Sequence, residues 1–340
     1  MTHYAILLAI KSYPGLTNLE GPENDVDEFH AWLVAPDGGN VLPENITTIK
    51  SSDFPSVTDP YQAQPADVAF RAALQKLLFN ADRSFKGKVG ERLYLFFAGH
   101  GFASRQLNEA ALYSAQATKN DPDHIAGKRY ATKIVNSAAF EEVVLIMDCC
   151  RDVDLSDSIR DPTMKIPDRQ GLAADVRLLE AYAAGRGQQA RERALEAGGK
   201  VRGIFTHALV DALRNAKGND QGELTGDLLK GYIHDRWPSF FSDVAKYEVH
   251  IGLPTGAKDI VFASRAVEPK VEVRFTATPP LPPGAVIVIL DTKRTEVARS
   301  IYDPAGTTAL LPPSYYKAVV EGTPRTAMFD AVGASVEVTL

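Results

Sequence analysis

Val143-Val144-Leu145-Ile146-Met147-Asp148-Cys149-Cys150-Arg151-Asp152 decides how this chain is read. An apolar run rich in Val and Ile that switches abruptly to charge predicts a central strand buried on both faces, its carboxyl end opening into a loop. That loop carries the only two cysteines of the protein. Arg92-Leu93-Tyr94-Leu95-Phe96-Phe97-Ala98-Gly99-His100-Gly101 repeats the shape and ends in Gly-His-Gly. Chemistry in open α/β sheets collects at the carboxyl ends of neighbouring strands, so His100 and Cys150 form a candidate dyad.

Working outward, Tyr4 to Ile10 reads as a first strand, Ile46 to Lys50 as a second, and Leu178 to Ala184 as a fifth. Between them, Val26, Phe29, Trp32 and Leu33 have helical spacing after Asn24-Asp25, and Ala66 to Asn80 is a strong amphipathic pattern. A helix is expected over Ala131 to Glu142, and others over Ile204 to Leu213 and Leu224 to Trp237. Strands alternating with helices predict an α/β fold with a mostly parallel, doubly wound sheet; His250 to Ala263 supplies a last strand region. Right-handed crossovers then bring the carboxyl ends of strands three and four to one edge. Gly101 to Lys128 shows little periodicity. Arg151 to Gly171 has no pattern either and holds five Asp, the marks of a functional loop.

The grammar changes after residue 263. Residues 264–270, including Glu268-Pro269, read as a linker, and 271–340 as a small all-β sandwich, Ig-like, with six strands at Val271–Thr278, Ala285–Leu290, Val297–Ile301, Thr307–Leu311, Tyr315–Val320 and Val336–Leu340.

With 45% hydrophobic and 24% charged residues among 340, the chain is globular rather than disordered. Its net charge of −6 argues against nucleic-acid binding. No signal peptide or membrane span is read near Met1, and two adjacent cysteines cannot build a disulfide framework. A reducing, cytoplasmic setting is expected. His30, His124, His207, His234 and His250 lack metal-ligand spacing.

Phe97-Ala98-Gly99-His100-Gly101 and Ile146-Met147-Asp148-Cys149-Cys150-Arg151 together resemble the two catalytic motifs of the caspase/metacaspase clan of cysteine peptidases, in its bacterial form. His100 and Cys150 stand 50 residues apart, close to the ~50 of caspases. Gly21-Pro22-Glu23-Asn24-Asp25-Val26 and Gly203-Ile204-Phe205-Thr206-His207-Ala208-Leu209 extend the resemblance, which covers 1–263. It implies a caspase-like sheet flanked by helices and a cysteine endopeptidase, with Cys150 as nucleophile, two residues after Asp148, and His100 as general base and acid. A neighbouring imidazole favours the thiolate and later protonates the leaving amine. The Gly101 and Cys150 amides are the candidate oxyanion donors, and the glycines flanking His100 are expected to let the backbone approach substrate.

The resemblance also places Asp25 and Asp148 in the S1 pocket, where caspases proper select Asp. Two carboxylates there call for a basic P1 residue, so cleavage of protein or peptide substrates after Arg or Lys is expected. Asp25 could equally cap the helix before Val26. Where metacaspases have His-Ser-Gly after the nucleophile, this chain has Arg151-Asp152-Val153. No cofactor is required. Calcium is a candidate, with Asp157 as a weak ligand and Asp121 and Asp123 as partners. Arg160, Lys165 and Arg169 offer cleavage sites for proteolytic activation of the loop after Cys150, though an ordinary insertion fits as well. The resemblance further implies a cell-death or phage-defence pathway, and the C-terminal domain is expected to be a recognition module for an activating protease or regulator. The rival reading is an inactive caspase-fold scaffold whose β-domain recruits partners.

Overall fold

The structure, a computed structural model, describes residues 2–104, 109–153, 159–194, 199–240, 249–254, 258–265, 270–292 and 294–340; residues 152, 153, 170 and 238–240 are described by backbone alone. The chain forms two compact units, Met1–Arg265 and Ala266–Leu340.

The first unit is built on six strands: β1 (His3–Ala9), β2 (Ile46–Lys50), β3 (Arg92–Ala98), β4 (Glu142–Asp148), β5 (Arg177–Tyr182) and β6 (His250–Gly252). Their order is β6-β5-β4-β3-β1-β2, with β6 antiparallel to β5 and the other pairings parallel. Every residue of β3 and β4 is buried, which explains the apolar runs 93–98 and 143–147 within them. Helices α1 (Pro22–Val34), α4 (Ile204–Asn215) and α5 (Gly226–Phe240) cover one face through Phe29, Trp32, Phe205, Leu209 and Ile233. Helices α2 (Asp67–Leu78) and α3 (Gly127–Ser137) cover the other through Phe70, Leu74, Tyr130 and Ile134.

The register of β3 against β4 runs from Arg92 beside Glu142 to Ala98 beside Asp148. The 50-residue interval between the two motifs is therefore the register itself. It persists beyond the strands, where Phe102 pairs with Asp152 and Ala103 with Val153. His100 and Cys150 thus leave the sheet at the same level. Side chains alternate along β4: Val144 and Ile146 pack toward α1 and α4, whereas Val143, Leu145, Met147 and Cys149 join the opposite core.

Several boundaries differ from the sequence expectation. The helix expected over Ala131 to Glu142 is α3, beginning at Gly127 and stopped by Ala138 in the left-handed region at φ 50°. Residues 101–128 contain short strands at Gly101–Ala103, Ala110–Tyr113 and His124–Ile125, which with Asp152–Val153 make a small sheet flanking the site. These strands are too short for alternation to register. The last strand region divides into β6 and Val261–Ser264; the latter pairs with Glu223–Thr225 ahead of α5, which starts at Gly226 rather than Leu224.

At the amino end of the sheet, buried Glu142 ion-pairs with both Arg92 and Arg177. Arg92 also donates to the Tyr94 hydroxyl at 2.9 Å and the Val261 carbonyl at 2.7 Å, and Arg177 to the Asp259 carbonyl at 2.8 Å. One carboxylate thereby holds 259–261 against the sheet. Replacing Glu142 with Leu leaves a buried guanidinium without its counter-charge, at an expected cost of about 3–5 kcal/mol. A thermal melt falling by about 10 °C checks this.

Among the described residues, the second unit has seven strands: β7 (Val271–Thr276), β8 (Val286–Leu290), β9 (Glu296–Ile301), β10 (Thr307–Leu311), β11 (Ser314–Val320), β12 (Thr326–Ala331) and β13 (Ser335–Thr339). Sheets β10-β7-β13 and β9-β8-β11-β12 share one core, to which Val273, Phe275, Ile287, Ile289, Tyr316 and Phe329 contribute. The sequence reading lacks β12, whose inward positions Phe329 and Ala331 are separated by Asp330 and preceded by Thr, Ala and Met. Among the described residues, no helix is long and apolar enough to cross a membrane.

Candidate active site

A cleft of about 960 Å³ opens at the carboxyl ends of β3 and β4, and His100, Cys150, Asp25, Asp148, Glu192 and Gly203 all line it. The strand register delivers His100 and Cys150; α1 brings Asp25 and the start of α4 brings Gly203.

His100 is held from two sides. Its ring lies 4.9 Å from that of Tyr13, centroid to centroid, and its backbone N–H donates to the Tyr13 hydroxyl at 3.0 Å. Its Nε2 is 2.7 Å from the Thr17 carbonyl oxygen. A carbonyl only accepts, so this contact places a proton on Nε2 and leaves Nδ1 as the ring's lone-pair nitrogen. The flanking glycines have a packing reason. A Cβ on Gly99, at φ 154°, would stand 2.5 Å from the Tyr13 hydroxyl, and one on Gly101 would stand 2.7 Å from Cys149 Sγ and 2.6 Å from the Ala111 carbonyl oxygen. Packing behind the loop therefore excludes side chains at both positions.

Both cysteines are free thiols. Cys149 is buried in the apolar core, and that burial, reinforced by neighbouring Cys150 and Asp148, pushes its thiol far above the ordinary range. Cys150 faces the cleft and its thiol donates to the Ala190 carbonyl oxygen at 3.8 Å. Arg151 settles the turn that the sequence left open. Its guanidinium lies over the Tyr182 ring at 4.4 Å, and its backbone N–H and C=O bond the Gln188 carbonyl (2.9 Å) and Gly187 amide (2.8 Å).

The acidic pair occupies the other end of the cleft. Asp25 sits inside the first turn of α1 rather than at its cap, which is Gly21; its carboxylate accepts the Gly203 N–H at 2.8 Å. Asp148 Oδ2 accepts from the Thr206 hydroxyl at 2.6 Å and the Thr206 N–H at 3.1 Å. A Cβ on Gly203 would fall 2.3 Å from Asp148 Oδ2 and 2.9 Å from Asp25 Oδ2, so both carboxylates converge on this glycine. Burial first, and then the negative charge of Asp148, lift the Asp25 carboxyl well above its usual range. Burial and the Glu192 charge push Asp148 up to about 6 against its Thr206 hydrogen bonds. Neither aspartate makes an ion pair with a described residue. The site is thus two buried carboxylates beside an imidazole and a thiol, in a cleft that Lys119 and Arg191 also line.

A model of the caspase domain matches residues 2–230 of the sequence. The chain belongs to the caspase domain family. Its caspase fold carries the mostly parallel sheet flanked by helices that the motifs implied. Among solved structures, this caspase domain is similar to a Geobacter sulfurreducens protein at 12% identity and a TM-score of 0.46, over 76% of this chain and 95% of that one. It is likewise similar to caspase-1 from Spodoptera frugiperda at 14% identity and a TM-score of 0.48, over 77% of this chain and 90% of that one. No curated protein matches the sequence.

The remaining positions lie outside the cleft. Arg160, Lys165 and Arg169 of the caspase domain are exposed, with Arg160 ion-paired to Asp123. Asp123 also accepts from the Ser114 hydroxyl at 2.6 Å, so both its oxygens are engaged. Asp121 is exposed, and Asp157 lies outside the described residues. Among the described residues no group of three or more His, Cys, Asp or Glu comes together to hold a metal. Thr17 and Glu192, which line the cleft, and Tyr13 and Thr206, which hold His100 and Asp148, were not singled out in the sequence. Thr206 stood inside a motif that carried the family resemblance, whereas Glu192 lies in a polar, Arg-rich stretch with no signal.

Proposed function

We propose that this caspase-domain protein is a cysteine endopeptidase that cleaves proteins after Arg or Lys. The observation that carries the reading is the convergence of Asp25 and Asp148 on Gly203 in the cleft that His100 and Cys150 line. A guanidinium or ammonium entering there supplies the missing counter-charge through hydrogen bonds that contribute about 1.5–3 kcal/mol each. An Asp side chain would add a third negative charge to a buried pair.

The chemistry follows from the tautomer. Nδ1 of His100 takes the Cys150 proton, the thiolate adds to the carbonyl carbon, and the imidazolium returns the proton to the leaving amine. Water then hydrolyses the thioester. The Gly101 and Cys150 amides are the candidate donors to the oxyanion. Exposure of Arg160, Lys165 and Arg169 supports activation by cleavage after one of them, by this enzyme or another. The free Cys150 thiol suits a reducing cytoplasm. A cell-death or defence pathway rests on the family resemblance, as does a calcium requirement involving Asp157.

Fluorogenic peptides differing only at P1 test the assignment. Cleavage of the Arg and Lys members at least about a hundredfold faster than the Asp member is expected, two charge-assisted bonds being at stake. Running the panel with calcium and with chelator reads the metal requirement in the same plate. Preference for Asp would sink the proposal.

A further inference from the structure

His100 stands one step ahead of the first strand of the small flanking sheet, and the ladder at that step is altered. Gly101–Ala103 runs antiparallel to Ala110–Tyr113, with Gly101 opposite Leu112 and Phe102 opposite Ala111. The next pair back is His100 with Tyr113, and the Tyr113 N–H donates to the His100 carbonyl at 2.9 Å. In an antiparallel sheet a pair bonded in this way exchanges a second bond in return. Here that second bond is interrupted. The His100 N–H donates at 3.0 Å to the Tyr13 hydroxyl, which itself donates to the Tyr113 carbonyl at 3.4 Å. A phenol from the loop after β1 is thus inserted into the ladder.

The inserted hydroxyl holds the two strands apart at the residue whose imidazole has to leave the sheet toward the cleft. It has to act as acceptor and donor at once, which only the neutral phenol can do. Burial raises the Tyr13 hydroxyl far above its ordinary range, so it keeps the proton it donates. The same residue closes the turn that carries Thr17. Its N–H donates to Asn18 Oδ1 at 2.8 Å, and its carbonyl accepts the Leu16 N–H at 3.2 Å. Thr17 lies between these anchors, and its carbonyl oxygen faces His100 Nε2 at 2.7 Å. Backbone and ring of His100 are therefore both held through Tyr13. A packing role alone calls for no hydroxyl, since Phe fills the same space.

We propose that Tyr13 is a positioning residue for the general base: its hydroxyl, inserted between His100 and Tyr113, sets the backbone from which the imidazole works with Nδ1 unprotonated. This rests on the reading of His100 and Cys150 as the dyad. Deleting the hydroxyl either lets the ladder close or strands the His100 N–H, and both outcomes shift the imidazole against the Thr17 carbonyl.

The test compares the full chain with Tyr13→Phe, which keeps the ring and its place in the core. With isotope-labelled histidine, the His100 ring signals, identified by their absence from His100→Gln, are expected to report a proton on Nε2 alone in the wild type and a mixture of both tautomers in the variant. On a P1-Arg peptide, with active sites counted by alkylation of Cys150, kcat per site is expected to fall about a hundredfold with KM unchanged, as for reacting groups displaced by about 1 Å. Asn18→Ala, at an exposed position, opens the same turn from its other end and is expected to mix the tautomers as well, so the answer does not depend on Tyr13→Phe folding. An unaltered tautomer, or an unaltered kcat per site, in the folded variants overturns the proposal and leaves packing as the role of Tyr13. A wild type that cuts no peptide overturns the peptidase reading instead, and the tautomer comparison still decides whether Tyr13 holds His100.

Discussion

Cys150→Ala will abolish peptide cleavage, by about ten-thousandfold or more, while Cys149→Ala will leave most of it intact. Removing a nucleophile that acts in concert with a base costs nearly as much as removing the whole catalytic unit. The neighbouring thiol cannot substitute. Cys149 points into the core beside Met147, against Gly101, and its ionisation is suppressed by burial. Alternation along the strand makes the separation absolute, since a side chain one residue earlier belongs to the other face of the sheet. A thiol-directed alkylating agent gives the same answer without a substrate. The folded wild type and Cys149→Ala should each take up one label, and Cys150→Ala none. Activity persisting in Cys150→Ala, or equal labelling of all three proteins, would contradict the assignment. The same result decides between an enzyme and an inactive scaffold.

Much of this site was legible in sequence because its geometry is local and periodic. The interval from His100 to Cys150 equals the register between β3 and β4, so two apolar runs of matching length were enough to bring the motifs level. The family pattern, with the nucleophile two residues after Asp148, selects Cys150 over Cys149, and strand parity agrees with that choice. What stayed hidden depends on contacts between segments far apart in the chain. Thr17 reaches His100 across 83 residues, and Glu192 reaches Gly21 across 171. No spacing rule operates over such distances. The glycines at 99 and 101 show the converse: the residues stand out in sequence, but the contacts with Tyr13, Cys149 and Ala111 behind them do not. In the second unit β12 escaped notice since its inward positions, Phe329 and Ala331, interrupt a run that also holds Thr326 and Asp330. Short strands of the small flanking sheet carry too few residues for any pattern.

Asp148→Asn should make the protein more stable and a much poorer peptidase, and both effects should depend on pH in the same window. Asp148 is 6% exposed, and its carboxyl is pushed up to about 6 from an ordinary 3.8, chiefly by burial. The unfolded chain releases this proton first as pH rises, so between those values the folded state binds more protons and stability falls with increasing pH. Above about 6 the full penalty persists; below 3.8 it is gone. A shift of about two units corresponds to roughly 3 kcal/mol. The asparagine variant keeps an oxygen to accept from both donors of Thr206, so it removes the charge without stranding those hydrogen bonds. At pH 8 it should therefore be about 2–3 kcal/mol more stable, with the gap closing toward pH 4. On the proposed reading, an arriving guanidinium offsets the cost of this destabilising group. On P1-Arg peptides the variant should lose about 10- to 100-fold in kcat/KM, the worth of a charge-assisted bond to a buried carboxylate. In the wild type kcat/KM on those peptides should decline as pH drops below about 6, when Asp148 takes up its proton. Melting curves of both proteins across this range decide the matter. A gap that does not change with pH, or a variant less stable at pH 8, would mean that Asp148 finds its counter-charge within the protein, and the pocket would then have no physical reason to prefer a basic residue.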